Sequence, residues 1–330
     1  MTYTAGGLIE AADYNGFANA SANNINVVWS TGSTDKGYGQ TALTTVSAGG
    51  TVTATSWAAL VGNLASIGSH TNSTLTSRTA PVTGNIIAIL ANVATDIDTV
   101  TLNRGNAVAS GTEYGVFSGT TSKTTATGSG QSAWTITFTH TVTFASADAL
   151  RYFFNAGGIV RLKYGKSSTG TDVDSDWNTL AGYVGTINLT GRVNGAAQTI
   201  AAQSYTGTTR LNGTGGTQTT LATTTGWYNL TGSPTTIFQL NDPTSPYTGE
   251  FIRTQATATS STVLTLTTVW SSDGSSGAGT SANISGGTAT ASPSTTITGT
   301  APTTLVTYLP PSTTYLSASW GTPTIAASVA

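Results

Sequence analysis

The chain has no cysteine among its 330 residues, which excludes a disulfide framework, a thiolate nucleophile and any cysteine-ligated metal. It is almost as poor in charge. Asp, Glu, Lys and Arg together make up 7% of it, where an ordinary soluble domain carries about a quarter. With a formal net charge of −2, no broad positive field exists to hold a phosphate backbone, so generic nucleic-acid binding is not expected. There are two histidines, His70 and His140, so general-base chemistry through imidazole has two candidate positions. No apolar run approaches the roughly 18 residues that a membrane span needs.

Thr, Ser, Gly, Ala and Asn take the place of the missing charge, and a hydrophobic content of 38% is enough to build a core. Thr is β-branched and suits a pleated, half-wet surface, while Gly, Ser and Asn serve turns. The composition predicts an α+β chain rich in short strands, with a β-sandwich-like part. A surface kept wet by hydroxyls has little like-charge repulsion, so copies can pack side by side. A homo-oligomer is therefore expected.

Three segments follow from the patterning. Residues 1–105 read as a helical region for attachment or oligomerisation. The first helix places Phe17, Ile25 and Val28 on one face and starts near Asp13; the glycine-rich "WSTGSTDKGYGQ" breaks it. A second starts at Ser56 and buries Trp57, Leu60, Val61, Leu64 and Ile67. Their beginnings, "IEAADYNGF" and "VTATSWAAL", match position for position as an internal repeat, and "DWNTL" at Asp176–Leu180 repeats the cap, aromatic and apolar part. A third helix is expected over Asn85–Leu102, with Ile86, Ile89, Leu90, Val93, Ile97 and Val100 at coiled-coil-like spacing, free to pack on its own chain or on symmetry mates. Residues 106–205 read as an α+β domain: after turn-rich sequence comes a strand, Trp134–Phe144, with Ile136, Phe138, His140 and Val142 alternating with threonines. Residues 206–330 read as a Thr/Ser/Gly-rich β domain, in which Asp273 is the one charge from Thr254 onward.

The stretch "RYFFNAGGIVRLKY" (Arg151–Tyr164) gathers aromatics, cations and a double glycine. Asp148 can cap a helix holding Leu150, Arg151, Phe153 and Phe154; Asn155 or Gly157 can end it in a left-handed turn, and Gly158 leads into a strand over Ile159–Tyr164. Phosphate binding needs glycines ahead of a helix, so that backbone N–H groups face the anion; here they follow one. The stretch is therefore expected to be a structural joint, with Phe153 and Phe154 buried and Gly157 and Gly158 turning the chain.

Four segments, "DYNGFANASANNINVVWSTGSTDKGYGQ", "VSAGGTVTATSWAAL", "VTFASADALRYFFNAGGIVRL" and "DWNTL", resemble virion structural proteins of tailed phages, of the marine and cyanobacterial myophage type. They cover the first third and the centre of the chain; the last hundred residues match only in texture. The resemblance implies a virion location and a structural or fibre-like role, with no catalytic or cofactor residues to carry over; the leading expectation is a tail, neck or baseplate fibre assembling as a homo-oligomer, most simply a trimer, and contacting other virion proteins. A capsid decoration or tail-associated protein is the alternative within that class. The start "MTYTAGGLIE" lacks the charged n-region and apolar run of a secretory signal, which fits a protein released by lysis better than an exported adhesin.

Other chemistry is weighed residue by residue. His140 on an apolar strand face reads as a core histidine, and His70 after the second helix as a cation stabilising its C-terminus. Asp172, Asp174 and Asp176 alternate as in the front half of a calcium loop, but the glycine and the closing Glu of that loop are missing; helix capping by Asp176 is favoured. Trp227, Tyr228, Trp270 and Trp320 are candidates for stacking on a host-surface glycan, with burial in the core as the favoured reading. Arg151, Arg161, Lys163 and Lys166 are expected to face solvent or a neighbouring subunit.

Overall fold

The computed structural model describes residues 10–20, 23–83, 92–114, 125–127, 133–167, 172–216, 218–244, 247–273, 294–296 and 301–330. Its helices are α1 (Ala11–Asn15), which widens into one further turn over Gly16–Ala20, α2 (Ile25–Trp29), α3 (Ala54–Thr71), α4 (Val93–Leu102), α5 (Ala147–Asn155) and α6 (Asp172–Val184). Its strands are β1 (Thr125–Thr127), β2 (Ala133–Thr143), β3 (Ile159–Gly165), β4 (Thr186–Leu189), β5 (Gln198–Ile200), β6 (Gln203–Tyr205) and β7 (Thr208–Leu211). They continue as β8 (Gln218–Leu221), β9 (Thr235–Asn241), β10 (Phe251–Ser260), β11 (Val263–Asp273), β12 (Ser294–Thr296), β13 (Thr303–Leu309) and β14 (Thr324–Val329). The α+β expectation, helices first and a β-rich remainder, describes this order. No helix among the described residues is long and apolar enough to cross a membrane.

The N-terminal repeat is structural. α1 and α3 begin at equivalent positions, after Glu10 and Thr53, three residues ahead of the expected caps. Asp13 instead reaches back to accept from the Glu10 N–H at 2.9 Å, and Thr53 Oγ1 accepts from the Ser56 N–H at 3.1 Å, so each helix opens with one of its end donors satisfied by a side chain. The equivalent aromatics Tyr14 and Trp57 then pack on one another edge to face, 5.4 Å apart at 77°. α3 buries Trp57, Leu60, Val61, Leu64 and Ile67 as its spacing predicts, and Asn72 in the left-handed conformation ends it. The third helix is shorter than expected: Asn92, at φ 60°, starts α4 afresh, and the first part of the expected helix, with Ile86, Ile89 and Leu90, lies outside the described residues. Val93, Ile97 and Val100 are buried in the chain's own core.

Pairing between these strands is antiparallel throughout, and a single parallel bridge joins Ala107 to Ile200 among the described residues. The larger sheet runs β8-β9-β10-β11-β2; on the far side of β2, β14 and β1 share one edge, and β12 pairs with β1. The smaller runs β13-β3-β4-β7, and β5 and β6 form a separate hairpin. β2 behaves as its alternation predicts, with Ile136, Phe138, His140 and Val142 buried and Thr135 to Thr143 outside; the Trp134 side chain is not among those described. The two sheets face each other, and threonine hydroxyls bind them together in the interior. Tyr164 on β3 pairs its hydroxyl with Thr254 Oγ1 on β10 at 2.7 Å, Thr254 meets Thr268 on β11 at 2.8 Å, and Trp270 Nε1 donates to Thr304 Oγ1 on β13 at 3.1 Å. Threonine is thus an interior polar linker here as well as a surface residue, the hydroxyls of Thr254, Thr268 and Thr304 each having a partner.

The expected division at 205/206 does not follow the sheets. β2, from the second segment, pairs along its whole length with β11 of the third, and β3 pairs with β13. Residues from Tyr14 to Trp320 belong to one continuous apolar cluster.

Candidate functional site

The joint at Arg151–Tyr164 forms as α5 turning into β3. Ser146, two residues before the expected Asp148, caps α5: its Oγ accepts from the Ala149 N–H at 3.0 Å. Phe153 and Phe154 are fully buried. Phe153 packs edge-on against Phe144, Phe154 and Tyr308, and Phe154 stacks on Trp227 at 5.5 Å and 12°. Gly157 sits at φ +92°, and a Cβ there would come within 2.9 Å of Ala107 Cβ; at Gly158 it would meet the Phe153 ring. Both glycines are required by close approach, and Gly157 by its backbone angle as well.

The cations of the stretch are not a single solvent-facing patch. Arg151 turns back over the N-terminal loop, donating to the carbonyls of Thr31, Thr34 and Lys36 at 3.0–3.1 Å and pairing with Asp148 at 2.7 Å. Asn155 adds a bond to the Gly37 carbonyl at 3.0 Å, and the Tyr228 hydroxyl closes on Asn155 Oδ1 at 2.5 Å. Arg161 and Lys163, on β3, bracket Glu113 at 3.1 and 2.8 Å, with Arg161 also donating to Asn188. Burial works against the Glu113 charge, but bonds from Lys163 and Thr307 and the facing charges outweigh it and hold its carboxyl below the usual range. Arg151 and the pair on β3 therefore serve different joints of one scaffold.

Both histidines are interior. His70 lies inside α3 rather than after it, fully buried, with Nε2 3.0 Å from the Ala156 carbonyl; burial pulls its pKa down to about 4. It is neutral at pH 7, so the expected helix-terminal cation is corrected. His140 is likewise buried on the inner face of β2, and burial lowers it to about 4. Of the four aromatics proposed to stack on sugar, Trp270 and Trp320 are 0% and 2% exposed and cannot meet a ligand; Trp270 packs against Trp177 in the core. Trp227 and Tyr228 are half-buried and held by Phe154 and Asn155. The four do not form one surface.

The place where ionisable groups converge is the end of the larger sheet. Along its inner face the apolar row Leu240, Ile252 and Trp270 gives way, two residues on in each strand direction, to Asp242, Glu250 and Ser272, all buried. Asp242 N–H donates to the Glu250 carbonyl at 2.8 Å, and Ser272 Oγ donates to Glu250 Oε1 at 3.0 Å. Asp176 comes down from α6 onto this row. Its Oδ2 and that of Asp242 are buried without a hydrogen-bond partner, so a charge on Asp176 is held at a cost. Burial first, and then the hydrogen bond and charge of Asp242, push Asp176 up to about 7. Asp242 Oδ1 accepts from the Thr244 N–H at 2.7 Å.

Asp176 favours its protonated form at this place, where α6 meets the end of the sheet. Asp176 is interior to α6, not its cap. The backbone of Asp172 and Asp174 belongs to α6, a helix rather than a loop; their side chains lie outside the described residues. Among the described residues no three His, Asp or Glu gather as a metal site. The sequence held a signal for one side of this place: Asp242 and Glu250, each one residue beyond its strand, continue the buried period of β9 and β10. No family model, curated protein or solved structure significantly matches the chain.

Proposed function

We propose that the chain is a non-enzymatic structural component of a tailed-phage virion, in the tail, neck or baseplate, working as a homo-oligomer. The observation that supports it best is where the chemically capable residues are spent. Arg151, Arg161, Lys163, Glu113 and Asn155 hold loops to strands, both histidines are buried in neutral form, and Asp176 is buried where a helix meets the end of a sheet. A scaffold with so little charge meets copies of itself without burying unpaired ions. The resemblance of its first third and centre to virion structural proteins supplies the location.

Incubating the purified chain with polysaccharide from the host surface tests the non-enzymatic part. No accumulation of reducing ends is expected. Accumulation that Asp176→Asn or another acid substitution abolishes would overturn the reading, and binding without cleavage would shift it to an adhesin.

A further inference from the structure

Among the described residues, nothing pairs with the outer side of β14 in the larger sheet. The residue after β14, Ala330, exchanges both backbone hydrogen bonds with Thr137 at 2.8 and 2.9 Å. Bonded and non-bonded pairs alternate along an antiparallel ladder, so Ser328, Ala326 and Thr324 also bond to β2. Ile325, Ala327 and Val329 then turn their N–H and C=O groups away from it, and no described residue takes those groups up. The same residues sit across from Val142, His140 and Phe138 on the inner face, yet each remains partly exposed. Both the backbone groups and the half-covered side chains lack one more strand.

We propose that this strand is β14 of a second copy, paired antiparallel about a two-fold axis at Ala327. This rests on the reading of the chain as a self-assembling component and names the contact. The register is self-complementary: Ile325 lies opposite the second copy's Val329, Ala327 opposite its equivalent, and every outward backbone group finds a partner. An isologous contact of this kind closes on itself. No side-chain charge opposes it, because Asp273 is the one charged side chain from Thr254 to Ala330. An uncharged strand without proline is the kind of edge that natural sheets otherwise blunt. Both other ends of the larger sheet are blunted, since β8 carries a register shift and β12 spans three residues, and in the smaller sheet β13 is bridged on its outer side through Tyr114–Tyr308. Two-fold pairing gives even-numbered assemblies, in place of the expected trimer.

Native mass spectrometry and sedimentation of the full chain, with paired charge variants, test this. Ala326 and Ser328 are exposed on the outer face, and in the proposed register each lies opposite the other in the second copy, within reach of a cross-strand pair. The variant A326K/S328K is expected to weaken dimerisation at least tenfold, while A326K/S328E, equally substituted but complementary, retains it. Because the parent has no cysteine, A327C reports the axis, and a covalent dimer is expected on oxidation. If copies assemble but the lysine pair has no effect and A327C does not cross-link, or if the assembly is a trimer, the strand contact is wrong and self-association stands. A monomer at micromolar concentration overturns both, as does one whose Ile325, Ala327 and Val329 amides resist hydrogen exchange.

Discussion

The Asp176–Asp242 pair and the two buried histidines pull the pH dependence of stability in opposite directions, and the balance is calculable. His70 and His140 have folded pKa values lowered to about 4 from 6.5, so below pH 6.5 the unfolded chain takes up protons that the folded chain refuses. Stability is lost as pH falls, by about 1.4 kcal/mol per pH unit for each. Asp176 has its folded pKa raised from 3.8 to about 7; its contribution is fully present below about 4 and is lost as pH rises towards 7. Between pH 4.5 and 6 two protons favour rising stability and one opposes it. The wild type should therefore gain about 2 kcal/mol over that interval, and Asp176→Asn, which keeps a donor towards Asp242 but no titrating proton, about 4 kcal/mol. Above pH 7 the histidines no longer contribute to the slope, and the variant should exceed the parent by up to about 4 kcal/mol relative to their difference at pH 4. Urea unfolding at half-unit pH intervals reads both slopes. Equal slopes, or a steeper one in the parent, would refute the raised pKa of Asp176.

Phe153→Ala removes a fully buried ring from a cluster of four aromatics and should cost about 3–5 kcal/mol, and Gly157→Val should also destabilise, from its positive φ and the Ala107 contact; thermal unfolding checks both. Arg151→Ala strips three loop carbonyls of their donor and should cost about 1–3 kcal/mol, with proteolysis appearing first at Thr31–Lys36. Lys163→Ala, at the most exposed end of the Glu113 bracket, should cost about 1 kcal/mol or less, measured by the same unfolding assay.

The sequence speaks clearly wherever one periodicity governs a segment. α3 and β2 bury the residues that their spacings of 3.6 and 2 nominate, and the turn at Gly157 follows from the one residue type that tolerates its angle. What a local pattern does not carry is partnership across long separations. Nothing near Asp176 announces Asp242, and nothing near Arg151 announces the carbonyls at Thr31 and Lys36. The caps at Glu10, Thr53 and Ser146 precede the expected ones because several cap-competent residues stand close together and the packing of the following aromatic decides among them. The segment boundary at 205/206 fails for a related reason: composition changes there, but strand pairing reaches across it. Trp270 and Trp320 are buried as the favoured reading of the sequence has it, although which strands close over them is not written in their neighbourhood.

The central claim is that this chain is a building part of a virus particle. Quantitative mass spectrometry of tailed particles purified from the lysate in which the chain is made, with gold-labelled antibody on the same particles, tests it most directly. The account predicts several copies per particle, at a fixed ratio to the other structural proteins, with label confined to the tail, neck or baseplate. A chain that stays in the soluble fraction while intact particles lack it would contradict the account.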